Sequence, residues 1–259
     1  LFDKAEGENY LNGIDSENPL VSEDVDLLKQ FGLVWKKLGS IDRTIYYFEK
    51  VLAIKLKNHG NKHLETAKIY NSLGNVWKDK RNYDKAVDYH KKSLDIKLKV
   101  LGAEHEETGK SYNNLGNVWK NIGSYDKAIE FFEQSYDVFL KVYGHQHPVT
   151  GACCLNLGLG WNKKGEFEKA IVFLKKSLNI FLKTYGNQHP WTGLCYNNLG
   201  VVWKNIGDYD KAIDYYEKAL KIKLEVDGDQ HPSTGNSYNN LGMVWKNKGE
   251  YGKAIDCFE

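Results

Sequence analysis

SYNNLGNVWKNIGSYDKA, running from Ser111 to Ala128, is the stretch that decides the fold. Versions of it recur at Tyr70–Ala86 (YNSLGNVWKDKRNYDKA), Cys154–Ala170 (CLNLGLGWNKKGEFEKA), Tyr196–Ala212 (YNNLGVVWKNIGDYDKA) and Tyr238–Ala254 (YNNLGMVWKNKGEYGKA). A looser copy, KQFGLVWKKLGSIDRT, spans Lys29–Thr44. Trp35, Trp77, Trp119, Trp161, Trp203 and Trp245 follow one another at 42 residues without slippage. A fixed period of this size is the mark of a stacked array, in which each unit buries its apolar face on the next.

Within one copy, Tyr112, Leu115, Val118 and Trp119 recur at helical spacing. Gly123 suits a left-handed helix stop, Ser124 a helix cap, and Asp126 the first turn of a second helix. Ala128, Ile129, Phe132, Tyr136 and Leu140 form that helix's apolar stripe, and Gly144 ends it. Gly32, Gly74, Gly116, Gly158, Gly200 and Gly242 sit mid-helix, where Gly costs about 1 kcal/mol relative to Ala. A cost repeated in every copy predicts close backbone approach, with Ala86, Ala128, Ala170, Ala212 and Ala254 as the matching small face. The Trp column reads as core: burying one indole removes roughly 150–250 Å² from water. Near the N-terminus, Ser22 is the expected cap of the first regular helix, with Glu23 and Asp24 in its first turn. Residues 1–22 read as a degenerate cap or linker.

The pattern Tyr70, Leu73, Gly74, Trp77, Tyr83, Ala86 resembles the tetratricopeptide repeat, whose ordinary unit has 34 residues. The longer unit, with HP…T…YNNLG between helices, looks like the repeats of kinesin light chain. The resemblance implies an all-α, right-handed superhelical solenoid of helix–turn–helix units. It places six repeats at about 23–64, 65–106, 107–148, 149–190, 191–232 and 233–259, the last cut short. Arg81 departs from the pattern by replacing the turn glycine.

Composition narrows the function. Hydrophobic residues make up 41% and charged residues 27%, as in a soluble globular chain, and no apolar run reaches the roughly 20 residues that span a bilayer. A net charge of +2 argues against a nucleic-acid binder, which needs a broad basic footprint. Cys153, Cys154, Cys195 and Cys257 lack metal-site spacing and read as free thiols in a reducing, cytoplasmic compartment. The column His63, His105, His147, His189, His231 carries Pro148, Pro190 and Pro232 in its later copies, and a Thr follows each His by three. Proline there is helix-start punctuation, and stacking of about 10 Å per layer separates the imidazoles too widely to share an ion. No nucleophile triad, phosphate loop or HExxH motif is present. The expectation is a non-enzymatic chain with no cofactor and no metal. Since it begins at Leu1 and stops inside the sixth copy's second helix, the sequence also reads as a piece of a longer protein.

In tetratricopeptide arrays the first helix of each copy lines the concave surface. The resemblance thus carries peptide recognition onto Asn71, Asn75, Lys78, Asn113, Asn114, Asn117, Lys120, Leu155, Asn156, Leu159, Asn197, Asn198, Val201, Lys204, Asn239, Asn240 and Lys246. Asparagine both donates and accepts, which suits an extended main chain. Ten lysines (Lys29, Lys36, Lys37, Lys68, Lys78, Lys110, Lys120, Lys163, Lys204 and Lys246) face only Asp26 and Asp79 there. In the later copies Leu155, Leu159, Leu194, Val201 and Met243 replace polar residues. The expected ligand is an acidic peptide with an apolar anchor, held towards the C-terminal half. On the second helices, Phe139 and Phe181 replace Lys55, Lys97 and Lys223, with Tyr143 and Tyr185 one turn on. These four aromatics either make an outer interface, through which the chain self-associates, or pack against the extended loops. The leading function is a protein-interaction scaffold that captures cargo or adaptor peptides. The alternatives are the sensor arm of a larger signalling enzyme and a structural, self-assembling array.

Overall fold

A computed structural model describes residues 24–259, and the expected cap or linker at 1–22 lies outside them. The chain divides into two compact units at the Ile122–Gly123 bond. Unit 1 holds α1 (Val25–Lys37), α2 (Ile41–His59), α3 (Leu64–Asp79), α4 (Tyr83–Leu101) and α5 (Glu106–Ile122). Unit 2 holds α6 (Tyr125–Tyr143), α7 (Pro148–Lys164), α8 (Phe167–Tyr185), α9 (Pro190–Ile206), α10 (Tyr209–Asp227), α11 (Pro232–Lys248) and α12 (Tyr251–Phe258). Each helix packs on the next within its unit, and first helices of successive copies also touch, α3 with α5 and α7 with α9. Among the described residues there is no strand.

The glycine column is where paired helices lock. A methyl group built on Gly158 would sit 2.6 Å from Leu174 Cγ, and one on Gly200 would sit 2.8 Å from the Tyr216 ring. Gly32 meets Phe48, Gly74 meets His90 and Gly242 meets Phe258 in the same way. The partner is therefore a large side chain sixteen residues on, not the alanine column. Ala86, Ala170, Ala212 and Ala254 are buried one turn earlier, where their size lets the helices close far enough for the large group to lie on the glycine.

Local signals set the helix ends. Asp24, rather than Ser22, caps α1, its carboxylate accepting from the N–H groups of Asp26 and Leu27. Asn82 and Asp208 cap α4 and α10, whereas Ser124 stands at the start of α6 without a side-chain bond to the helix. First helices use the histidine column instead. Nδ1 of His63, His105, His147, His189 and His231 accepts the N–H two residues on, at 3.1–3.2 Å. Thr66, Thr108, Thr150, Thr192 and Thr234 donate to the carbonyl six residues back, at 2.7–2.9 Å. The His-Pro loops are thus built clasps between one pair and the next.

The Trp column packs with the core, its first two rings more deeply than the rest. Trp35 and Trp77 are buried, Trp119 is half-buried, and Trp161, Trp203 and Trp245 are half-buried against the core clusters. Lysines of the YDKA segments cover the rings: Lys85, Lys169, Lys211 and Lys253 lie 4.0–4.4 Å from the centroids of Trp77, Trp161, Trp203 and Trp245. Contacts of this kind contribute about 0.5–1 kcal/mol each at exposed sites.

The interlock separates one class of glycine from another. Gly200→Ala should lower stability by about 1–2 kcal/mol, overpacking against Tyr216 outweighing the gain in helix propensity. Gly235→Ala, where nothing lies within 4 Å of the added methyl, should raise it by up to about 1 kcal/mol. Urea denaturation of the two variants checks both signs.

Candidate functional site: the first-helix faces and a pocket on α9 and α11

In unit 1 the face predicted for recognition is cross-linked by its own polar groups. Asn114 Nδ2 donates to Asn71 Oδ1 at 2.8 Å, joining α5 to α3. Lys36 of α1 pairs with Asp79 of α3 at 3.4 Å, and Lys78 approaches the same carboxylate at 3.9 Å. Lys68 is held by Glu65, and Lys110 by Glu106 and Glu107, on their own helices. Much of the lysine excess is therefore answered locally, by acids placed in the first turn for the helix dipole. Asn117 donates to the Asn113 carbonyl and accepts from Lys120. Burial, then the neighbouring charge of Lys78, lowers the Lys120 pKa. Asn75 and Lys78 are half-exposed on the same helix.

Unit 2 repeats the cross-links with one rung missing. Asn240 donates to Asn197 and Asn205 to Asn162, each at 3.1 Å. By the spacing of 43 residues, Asn198 would meet position 155, which is Leu155. It turns instead to the carbonyl of Leu194 at 2.9 Å and is 9% exposed. Leu155 is 4% exposed and belongs to the core with Leu174, Phe181, Cys195 and Leu199, which corrects its assignment to the binding face. Its position looks at the next copy, so a side chain that cannot make the polar rung is drawn into the apolar junction. Leu159 and Val201 are half-buried at the edges of the two core clusters. Asn156, Asn197, Asn240 and Lys204 are half-exposed, and Asn239 and Lys246 exposed.

Of the apolar substitutions, Leu194 alone lines a cavity of about 380 Å³ within unit 2. Pro190, Trp191, Gly193, Leu194 and Asn197 of α9 form one wall and Ser233, Asn236, Ser237 and Asn240 of α11 the other, with Ala219 and Lys223 of α10 completing it. Small residues open it. Ala219 stands where Ser93, Ser135 and Ser177 stand in other copies, and Ser233 where Glu65, Glu107, Val149 and Trp191 stand. Trp191 and Leu194 are 42% and 39% exposed, large apolar groups left in water beside amide side chains. An aliphatic or aromatic side chain fits this mixture of apolar wall and hydrogen-bonding rim. Sequence reasoning named Leu194, Asn197 and Asn240 on this face but missed Ala219 and Ser233. The signal was there as shrinkage in two columns.

Of the four aromatics on the second helices, the two phenylalanines are buried, Tyr143 is half-buried and Tyr185 is exposed. Phe139 and Phe181 are 3% and 1% exposed, and each heads a stack of rings running under the loop that follows: Phe139, Tyr143 and His147, then Phe181, Tyr185 and His189, with Trp191 against Phe181. Unit 1 fills the same junction with ions. Lys55 pairs with Glu65 at 3.6 Å, and the nearly buried Lys97 with Glu107 at 3.1 Å. Burial opposes the Glu107 charge, but hydrogen bonds from Lys110 and Lys97 hold its carboxyl down at about 2. Burial pushes the Cys153, Cys154 and Cys195 thiols up, Cys154 to about 12, as for structural rather than reactive cysteines. Among the described residues no three His, Cys, Asp or Glu side chains converge as metal ligands, and no helix is long and apolar enough to cross a membrane.

Family models of the tetratricopeptide repeat match residues 66–107, 108–149, 155–223 and 203–259. The chain belongs to the tetratricopeptide-repeat family. It is an all-α repeat solenoid of the kind that serves as a protein–protein interaction scaffold, a fold that is in general non-enzymatic. No curated protein sequence matches it. Its repeats resemble those of a Podosopora anserina putative kinesin light chain with nearly identical TPR-like repeats, with TM-score 0.71, 19% identity and coverage of 80% of this chain and 98% of that one. BtubC (BKLC) from P. vanneervenii aligns with TM-score 0.66 at 22% identity over 93% of this chain and 89% of its own. A STAND signal-transduction ATPase with a tetratricopeptide repeat sensor, from Pyrococcus horikoshii, aligns with TM-score 0.72 at 18% identity. It covers 98% of this tetratricopeptide chain, which spans only 38% of that protein.

If the asparagine rungs knit copies together, a double-mutant cycle with Asn71→Ala and Asn114→Ala should give a coupling energy of about 1 kcal/mol. The same cycle on Leu155→Ala and Asn198→Ala should show no hydrogen-bond coupling, only packing losses. Equal, near-zero coupling at both places would remove the rung from the account.

Proposed function

We propose that this tetratricopeptide chain captures an extended, acidic segment of a partner protein on the faces of its first helices. An apolar side chain of that segment is anchored in the α9–α11 pocket. The observation that carries the reading is the pairing of half-exposed Trp191 and Leu194 with Asn197, Asn236 and Asn240 around one cavity. An apolar side chain there gains roughly 25 cal/mol per Å² buried, while the amides are within reach of the main chain beside it. Acidic flanks suit Lys204 and Lys246, which the same two helices carry. Capture of cargo or adaptor segments in the cytoplasm, without a nucleic-acid or membrane partner, is the setting that fits the likeness to kinesin light chain repeats. A second reading, the sensor arm of a larger signalling enzyme, draws on the likeness to the Pyrococcus horikoshii tetratricopeptide repeat sensor.

Binding of a fluorescent peptide, one Leu or Trp flanked by Asp and Glu, tests the proposal. Lys204→Glu with Lys246→Glu should weaken binding at least tenfold at low salt, and raising salt should narrow the difference. Leu194→Asp should abolish the preference for the peptide with its anchor over the Ala-substituted one. Affinity indifferent to both changes would overturn the reading.

A further inference from the structure

One histidine lies inside the α3–α4 pair. His90 lies on Gly74, its ring 2.8 Å from where a methyl would stand, in the column that holds Phe48, Phe132, Leu174, Tyr216 and Phe258 elsewhere. It is fully buried, and among the described residues neither ring nitrogen finds a hydrogen-bond partner. The charges bearing on it are Lys78 from α3 and Lys97 on its own helix, and α5 faces this region with Glu107, which is held on Lys97. Nothing there compensates a proton. Burial, then the two ammonium groups, holds the imidazole down at about 4.

At the start of α3, His63 accepts the Glu65 N–H through Nδ1, and its ring stacks on His59 at 4.6 Å. Glu65 is itself engaged by Lys68 and Lys55. The turn between α3 and α4 is costly. Arg81 holds φ at 62°, the one non-glycine positive φ among the described residues, where Gly39, Gly123, Gly165, Gly207 and Gly249 serve elsewhere.

We propose that the α3–α4 pair is an acid-opened element: protonation of His90, buried without a partner on Gly74, releases α3 from α4 and withdraws Asn71, Asn75 and Lys78 from the recognition face. The sign follows from the buried imidazole. The closed pair excludes the proton and the open pair accepts it at the ordinary value of 6.5, so closure is complete above that pH and weakens as pH falls towards 4. From His90 alone, the opening equilibrium at pH 5.0 should exceed that at pH 7.4 roughly 30-fold.

Hydrogen exchange of the full chain at pH 7.4 and 5.0, scaled for intrinsic exchange, reads this directly. Because no partner is present, the outcome is independent of what binds the face. Residues 64–101 should show the roughly 30-fold rise, and α8–α10, with Leu174 and Tyr216 in the column, a far smaller one. His90→Phe, or His90→Leu should Phe prevent folding, should remove most of the rise. Arg81→Gly should slow opening at both pH values and leave their ratio intact. Equal opening of 64–101 at both pH values, or an acid rise that survives both His90 substitutions, would overturn the proposal.

Discussion

A large side chain lying on a bare helix backbone is the contact on which the rest of this molecule depends. It occurs at Gly32, Gly74, Gly158, Gly200 and Gly242, always with the residue sixteen positions later. It fixes how closely the two helices of a pair approach, and so which residues of the first helix remain outside the junction. The glycine weakens the isolated helix by about 1 kcal/mol, and tertiary packing repays it, the usual balance for helices too short to stand alone. Once the pair is set, the His clasp and the Thr-to-carbonyl bond join it to the next at the loop.

Variation is tolerated where it keeps that contact. The junction between a second helix and the next first helix is ionic at Lys97–Glu107 and aromatic at Phe181–Trp191, two ways of filling one space. The choice has consequences: the ionic junction ties up charge, while the aromatic one leaves Trp191 half in water beside the pocket. The binding proposal therefore rests on a side effect of packing, since the residue that closes one junction supplies a wall of the next cavity. His90 shows the opposite case, where the contact is kept in shape and lost in chemistry.

Much of this was legible in the sequence because periodicity records what every copy must do. The helix pairs, the turn glycines, the close approach at the mid-helix glycine and the role of the His-Pro loops as helix starts all follow from columns. The partner of the glycine was not legible, since alanine and the large residue four places on share one helical face and only the closed pair shows which reaches across. Nor was the fate of Leu155: its column faces the next copy, and whether a side chain there points to water or core depends on whether a polar rung is available. For Phe139 and Phe181 the sequence left two places open, an outer interface or packing against the loops, because a Lys-to-Phe change reads as an exposed patch when the lysine is taken as solvated. Lys97 is in fact nearly buried against Glu107. For the site itself, the face was legible and the pocket was not, since it is made by absent volume at Ala219 and Ser233.

The central functional claim is that these departures from the repeat choose the ligand. Selection from a random peptide library on the intact chain, repeated on a protein with Leu194 and Trp191 both changed to Ala, tests it most directly. The account predicts that the unaltered chain enriches acidic peptides with one large apolar residue at a fixed place, and that the altered chain keeps the acidic bias and loses the fixed residue. Enrichment of neutral or basic peptides, or the same apolar consensus from both proteins, would contradict it.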